Sequence, residues 1–184
     1  FQALVQVVVV DGGSSDGTRE LLKDFEKNST QLKVVYLDEK GGMDKDYDRA
    51  VRSGDGDYCW LLSDDDIIEC DAVFKVMSKL EEEKRDVLII NSSSWNKEYS
   101  KCFTEQFVKI SEDVEIKNEN FHNEFFEKCE GYSGFLGVLV IKKELWERVD
   151  TEKYYGSRFI FLGVLSQIPY NSSVLIIKDP LIKI

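Results

Sequence analysis

The sequence predicts an α/β protein whose mostly parallel sheet carries helices on both faces. Three observations support this class: apolar segments of strand type alternate with amphipathic segments of helix type, the strand segments are rich in Val and Ile, and Gly-containing turns lie between them. Strands buried on both faces read as nearly continuous apolar runs, and 4–10 (LVQVVVV) is such a run. Helical crossovers between such strands make neighbouring strands parallel.

The first half of the chain alternates regularly between the two types of element. Strands are predicted over 4–10, 33–39, 57–66 and 86–94, with helices over 18–28, 44–54 and 70–84 between them. In the first helix Leu21, Leu22 and Phe25 share one face, and Ser15 or Asp16 is expected to cap it.

The second half is more polar, and its elements are harder to divide. Residues 137–149 resemble a strand running into a helix, and 172–184 a late strand. No linker rich in Gly, Pro or Ser interrupts the chain, which predicts a single domain over 1–184. Phe1 is not an initiator Met, and we expect the domain to be truncated at both ends.

Composition narrows the function classes. The 184 residues are 42% hydrophobic and carry a net charge of −11, which fits a folded domain and argues against a general nucleic-acid binder. The four cysteines form no C-x-x-C pair, which disfavours a structural zinc site and suggests reduced thiols in a cytosolic protein. No apolar run approaches the roughly 20 residues that span a bilayer.

Acidic residues follow two of the predicted strands. Asp11 comes directly after VVVV, and Asp64, Asp65 and Asp66 come directly after CWLL. Ligands of open α/β sheets bind outside the carboxyl ends of the strands, so we expect these groups to share one cleft. Such crowded carboxylates suit a hard divalent cation, Mg²⁺ or Mn²⁺, that also takes phosphate oxygens. The sequence therefore predicts a metal–diphosphate site.

The turn after the first strand, DGGSSDGT, is the second feature of that site. Gly12 and Gly13 permit positive φ and a close approach of the backbone to a ligand. A plain strand-to-helix turn would need only Asp16 and one glycine. The turn is neither a P-loop nor G-x-G-x-x-G.

These motifs together resemble the family 2 glycosyltransferases of the GT-A fold, a Rossmann-like nucleotide-sugar fold. The resemblance rests on VVVVDGGSSDGT, on GDYCWLLSDDD about 50 residues later, and on KGGMDKDYDRAV between them. It covers about 4–80 well and 132–165 more weakly. WLLSDDDII and the late GSRFIF are most similar to bacterial abequosyltransferase-like enzymes of O-antigen or capsule synthesis.

The resemblance implies a role for each motif. Asp65, flanked by Asp66, would bind the metal. The nucleotide-sugar would contact the two turns, the acidic loop and the late GSRFIF segment, through Asp11, Gly13, Gly42, Asp44, Asp64 and Arg158. The nucleotide-binding part would span about 1–95, and the acceptor-side part about 96–184.

The sequence departs from the family pattern in three places. The family's opening strand would precede Phe1, and Ser63 stands where the first Asp of the Asp-x-Asp motif is expected. The family's late acidic motif, the usual source of a catalytic base, has no acid in 154–165. The base is therefore unidentified, and the candidates are Glu130, Asp150, Glu152 and His122.

The expected reaction is metal-dependent transfer of a sugar from a nucleotide-diphosphate donor to a glycan or lipid-linked acceptor. The expected location is cytoplasmic, and a lipid-linked acceptor would bring the enzyme to the inner face of the membrane by peripheral association. A catalytically inactive nucleotide-sugar-binding domain and a sugar-nucleotide pyrophosphorylase are the alternatives. The first strand, followed by Asp11 and the DGT at 16–18, also resembles the motif of haloacid-dehalogenase-like phosphatases, but Asp11 lies too far from Asp16 for that motif.

Overall fold

The computed structural model describes residues 5–116, 121–129 and 136–184. Its first unit is a parallel strand pair joined by a helix. β1 (Val7–Asp11) and β2 (Leu32–Tyr36) pair in parallel, with Asp11 opposite Tyr36, and α1 (Thr18–Asn28) connects them. Because the two strands run in the same direction, the turns that follow them emerge at the same edge.

A larger mixed sheet forms the rest of the scaffold. Its strands are β3 (Tyr58–Trp60), β4 (Ile67–Ile68), β5 (Val87–Trp95), β6 (Cys102–Thr104), β7 (Val114–Ile116), β8 (Leu139–Lys142) and β9 (Val174–Lys183). The order across the sheet is β3-β8-β5-β9-β4, while β6 pairs with β5 and β7 pairs with β9.

The α/β class is confirmed, but the prediction of a mostly parallel sheet is wrong for the described strands. Only β1–β2 and β5–β9 are parallel pairs, and the other five described pairings are antiparallel. The physical reason is β8, which comes from the second half of the chain and inserts between β3 and β5 in the opposite direction. The short strands β4, β6 and β7 add antiparallel edges with two or three residues each.

Five helices follow α1 in the described ranges: α2 (Met43–Ser53), α3 (Ala72–Glu82), α4 (Phe121–Cys129), α5 (Lys143–Glu147) and α6 (Ile160–Leu165). They cover both faces of the sheet, as predicted. On β5, Ile89 packs in the cluster that contains Trp146 of α5, whereas Leu88 and Ile90 pack in the cluster that contains Val76 of α3. Alternate side chains of a strand point to opposite faces, so this strand is buried from both sides.

The ends of several elements differ from their sequence-based bounds. The third strand was predicted over 57–66, but β3 has only three residues, and the acidic residues lie in the loop that follows it. α1 has the predicted bounds, yet Gly17 is its N-cap, while Asp16 instead accepts the backbone N–H and hydroxyl of Thr18. In the described ranges, no helix combines the length and apolar character needed to cross a membrane.

Candidate nucleotide-sugar site

Asp11 ends β1 as a buried carboxylate with both oxygens engaged. Its Oδ2 lies 2.5 Å from Nε of Arg19, and its Oδ1 accepts the backbone N–H of Ser14 at 3.1 Å. Burial raises the pKa of Asp11, but the hydrogen bonds from Ser14 and Arg19 outweigh that effect and hold the pKa below its usual range. The Asp11 side chain has 0% exposure, so in this conformation it orders the turn and Arg19 instead of facing solvent.

The turn after β1 packs closely on the turn after β2. Gly13 has a φ of +84°, and a Cβ at this position would lie 2.9 Å from the carbonyl oxygen of Asp38. A Cβ on Gly12 would lie 3.3 Å from Cγ of Lys40. The close backbone approach expected from these glycines is therefore made to the neighbouring turn, and only glycine fits at Gly13 without strain.

A cation-rich cleft of about 470 Å³ opens beside the two turns. Its lining includes Asp38, Glu39, Lys40, Gly41, Lys45 and Arg49. The Lys45 ammonium lies 5.6 Å from the centre of the Tyr155 ring, and Arg49 is 3.1 Å from Asp46. The three cations of the lining outnumber its two acids, and a cleft with an excess of positive charge suits a phosphate-bearing molecule.

The acidic loop after β3 carries the candidate metal ligands. Asp64 and Asp65 are exposed, whereas Asp66 is partly buried and its Oδ2 accepts the N–H of Ser63 at 3.4 Å. Burial raises the pKa of Asp66, and the negative charges of Asp65 and Asp64 raise it further. Asp66 also lies against a glycine, because a Cβ on Gly137 would be 2.7 Å from Asp66 Oδ2.

A hairpin between β5 and β6 supports the acidic loop. The hydroxyl of Tyr99 donates to the carbonyl oxygen of Asp65 at 2.9 Å. Tyr99 has a φ of 52°, a left-handed conformation that is uncommon for a residue other than glycine. Asn96 orders this turn, since its Oδ1 accepts the N–H groups of Ser100 and Lys101 at 2.9 and 2.8 Å. Tyr99 was not predicted from the sequence, because nothing local links it to a loop 34 residues away.

The first turns of α2 bring the separate loops together. A Cβ on Gly12 would lie 3.7 Å from Asp46 Oδ2, and the next residue, Tyr47, lies near Ser63. Burial raises the pKa of Tyr47, and the charges of the acidic loop raise it further. The turn after β1 and the acidic loop after β3 are thus connected through adjacent residues of one helix, which supports the expectation that they border one cleft.

The same helix reaches a third loop through Asp44. This side chain is 3% exposed, and its two oxygens accept the backbone N–H groups of Arg158 at 2.8 Å and Ile160 at 3.1 Å. Gly42, with a φ of 92°, precedes the helix as its N-cap. Arg158 is exposed and has a φ of 67°. The structure therefore places Arg158 beside α2 but gives Asp44 two protein partners in place of an open position for a ligand.

Asp48 is a second buried carboxylate of α2, which the sequence analysis did not identify. It is 4% exposed and accepts Nε1 of Trp146 at 2.8 Å, Nε of Arg52 at 2.8 Å and the hydroxyl of Tyr155 at 2.9 Å. Burial raises the pKa of Asp48, but these three hydrogen bonds outweigh it, and the pKa is lowered. Asp48 thereby fixes α2 to the second half of the chain.

The structure does not single out a catalytic base. Asp150 is 57% exposed and pairs with Lys153 at 3.1 Å, and Glu152 is exposed on a short 3-10 helix. His122 is in α4, but its side chain is outside the described part of the structure, as is the whole of Glu130. None of the described candidates has a hydrogen bond to the acidic loop or to Arg158.

The donor set of the acidic loop fits a divalent cation. Across the described ranges, no three or more His, Cys, Asp or Glu side chains form a group that would hold a metal by themselves. The loop offers exposed hard oxygen donors on Asp64 and Asp65, and a cation there would offset the repulsion that raises the pKa of Asp66. Such a site suits an ion that takes one or two carboxylates and completes its shell with phosphate oxygens and water.

Residues 2–138 match the family described as glycosyl transferase family 2. The match covers more than half of the chain, and the protein belongs to this family. The chain is 21% identical over 177 residues to abequosyltransferase RfbV of Salmonella typhimurium (strain LT2), covering 91% of this chain and 53% of RfbV. It is 24% identical over 87 residues to glycosyltransferase GlyG of Streptococcus pneumoniae serotype 4, covering 47% of this chain and 29% of GlyG.

Solved structures of S. aureus TarS have the same fold. TarS 1–349 in complex with UDP superposes with a TM-score of 0.78 at 18% identity, covering 100% of this chain and 52% of that one. TarS 1–349 in complex with UDP-GlcNAc gives a TM-score of 0.75 at 19% identity and covers 50% of that chain. These similarities confirm the predicted GT-A fold, and the chain spans about half the length of these relatives.

Proposed function

We propose that this chain is a metal-dependent glycosyltransferase domain. It transfers a sugar from a nucleotide-diphosphate donor to a glycan or lipid-linked acceptor in bacterial cell-surface polysaccharide synthesis. The observation that carries the proposal is the convergence on α2, where Asp44, Asp46 and Tyr47 contact the loops that hold Arg158, Gly12 and Ser63.

The donor lies across the turns that follow β1 and β2. Asp11 takes part by fixing Ser14 and Arg19, since its own oxygens are already engaged. Gly13 and Gly42, both in left-handed conformations, shape the backbone of the two turns. TarS, which has the same fold, has been crystallised with UDP and with UDP-GlcNAc, and this supports a nucleotide-sugar as the donor.

The acidic loop holds the diphosphate end of the donor through Mg²⁺ or Mn²⁺. Asp65 and Asp66 are the proposed metal-binding residues, and Asp64, which precedes them, is proposed to contact the nucleotide-sugar. When bound, the ion acts as a Lewis acid that stabilises the leaving diphosphate. The Asp66 carboxylate orders this loop by accepting the N–H of Ser63, and the Tyr99 hydroxyl holds the loop backbone at Asp65.

The acceptor side is the second half of the chain, and its base remains unassigned. An acidic group or His must take the proton of the acceptor hydroxyl during transfer. Because RfbV is named an abequosyltransferase, a deoxysugar donor is the first to test. We place the enzyme in the cytoplasm, where a lipid-linked acceptor would bring it to the inner membrane face.

Donor hydrolysis with Mn²⁺ tests the proposal. Wild type is incubated with UDP-, GDP-, CDP- and dTDP-sugars, and release of the nucleoside diphosphate is measured. Asp65→Ala should stay folded by circular dichroism but lose metal-dependent release. Asp24→Asn is the matched control, because the Asp24 side chain is 70% exposed on α1 and its one ion-pair partner among the described residues is Lys27. Equal turnover by Asp65→Ala and wild type would refute the assignment.

A catalytically inactive nucleotide-sugar-binding domain is the second candidate. The observation in its favour is that Asp150 is exposed and paired with Lys153 instead of reaching the site. Metal-dependent binding of a nucleotide-sugar without hydrolysis or transfer to any acceptor tested would favour this reading.

A further inference from the structure

The buried carboxylate of Asp44 has its oxygens directed at the backbone of another loop. They accept the N–H groups of Arg158 at 2.8 Å and Ile160 at 3.1 Å, across 114 and 116 residues of sequence. The N–H of Phe159, between them, donates to Ser157 Oγ at 3.0 Å. Every backbone N–H from Arg158 to Ile160 therefore has a side-chain acceptor, and the loop is fixed before α6 begins.

Arg158 occupies a conformation that its side chain does not favour. Its φ of 67° lies in the left-handed region, and Gly156, two residues earlier, has a φ of 87°. Glycine would adopt both conformations without strain, so an arginine at 158 costs stability that a glycine would not. Among the described residues, only Tyr99 and Arg158 combine a side chain with positive φ, and Tyr99 supports the acidic loop.

Among the residues that the structure describes, no side chain pairs with the guanidinium of Arg158, and Arg158 is exposed. Its backbone is held by Asp44 in the first turn of α2, and Asp46 of the same turn lies against the turn after β1, where a Cβ on Gly12 would be 3.7 Å from Asp46 Oδ2. A turn of helix rises about 5.4 Å, so the backbone of Arg158 is anchored within about one helical turn of a residue that packs against the proposed donor turn.

We propose that Asp44 is a positioning residue, and that it holds Arg158 in a strained conformation so that the guanidinium binds the diphosphate of the donor. This inference rests on the proposed function and changes the part that Asp44 plays in it. Asp44 acts through Arg158 and does not itself contact the nucleotide. One carboxylate thus couples the first turn of α2 to a loop more than 100 residues later.

A double-mutant cycle tests this coupling. Affinity is measured by titration calorimetry for UDP, GDP, CDP and dTDP with MnCl₂, and for the parent nucleosides. Arg158→Gly should weaken nucleoside-diphosphate binding about tenfold or more, leave nucleoside binding unchanged, and leave the melting temperature unchanged or raised. Arg158→Lys should recover part of the affinity. Arg148→Gln, which removes the exposed arginine directly after α5, is the control and should change neither nucleoside-diphosphate binding nor nucleoside binding.

Asp44→Asn is expected to lower the melting temperature both of wild type and of Arg158→Gly, because its single amide oxygen can replace only one of the two carboxylate oxygens that accept the N–H groups of residues 158 and 160. It should weaken diphosphate binding in wild type but cause no further loss in Arg158→Gly. Where Asp44→Asn does not fold, Asp44→Glu, which moves both acceptor oxygens, takes its place. Additive losses, or full affinity in Arg158→Gly, would overturn the coupling alone. No diphosphate binding by wild type would overturn the proposed function and this inference together.

Discussion

Removal of the Asp48 carboxylate tests how firmly α2 is anchored. In Asp48→Ala, Nε1 of Trp146 loses its acceptor while the Trp146 side chain stays fully buried. An orphaned buried donor costs about 1–3 kcal/mol. The hydroxyl of Tyr155 and the guanidinium of Arg52 lose the same carboxylate, but Arg52 is 43% exposed and adds little because water screens it. We expect a total loss of about 3–5 kcal/mol.

The assay is urea unfolding followed by far-ultraviolet circular dichroism. Asp48→Asn should lose less, about 1–2 kcal/mol, because its amide oxygen can still accept from Trp146. Asp24→Asn, which breaks an exposed ion pair on α1, should cost less than about 1 kcal/mol. A loss below about 1 kcal/mol in Asp48→Ala would refute the view that this carboxylate anchors α2.

The pH dependence gives an independent check on Asp48. Its pKa is lower in the folded protein than its ordinary value of 3.8, so its ionised form stabilises the fold. That contribution is complete above the unfolded pKa and is lost as pH falls through the folded pKa. The stability difference between wild type and Asp48→Asn should therefore be constant from pH 7 to 5 and shrink below about pH 4. A difference that grows in acid would contradict the role.

Three further substitutions probe the acidic loop. Asp66→Asn should stabilise the metal-free protein, because burial and neighbouring charges raise the pKa of Asp66. The same variant should weaken Mn²⁺-dependent nucleotide binding. A variant that is less stable than wild type in urea unfolding would contradict the expected stabilisation. Gly137→Ala would place a Cβ 2.7 Å from Asp66 Oδ2 and displace this carboxylate, so the affinity for Mn²⁺ should fall about tenfold. Calorimetry measures the affinity, and an unchanged value would show that the carboxylate moves freely. Tyr99→Phe loses the hydrogen bond to the Asp65 carbonyl, which should lower the free energy of unfolding by about 1 kcal/mol and raise the KM for Mn²⁺. A KM equal to that of wild type would show that Tyr99 does not support the acidic loop.

The local elements were predictable because their signals are local. The apolar period of 18–28 gave α1 its bounds, and β-branched runs marked β1 and β5. The direction of β8 was not predictable, because a strand's own sequence says little about which neighbours it will join. The alternation of strands and helices in the first half suggested parallel crossovers, and a strand from the second half broke that pattern.

The candidate site was predictable where a motif ends a strand, and not where its partners are distant. Asp11 and the acidic loop follow β1 and β3 as expected. The burial of Asp44 and Asp48 was missed, since their acceptor oxygens meet Arg158 and Trp146 about 100 residues later. A signal was present: Asp44, Asp48 and Val51 repeat at helical spacing, which puts both acids on the buried face of α2.

The central claim is that a divalent cation joins the acidic loop to the diphosphate of a nucleotide. The most direct test is calorimetric titration of UDP, GDP, CDP and dTDP into wild type and Asp65→Ala, each with MnCl₂ and with EDTA. We predict that at least one nucleotide binds wild type more tightly with Mn²⁺, and that Asp65→Ala loses this gain while it retains the metal-free affinity. Equal affinities of wild type in Mn²⁺ and EDTA, or an undiminished gain in Asp65→Ala, would contradict the claim.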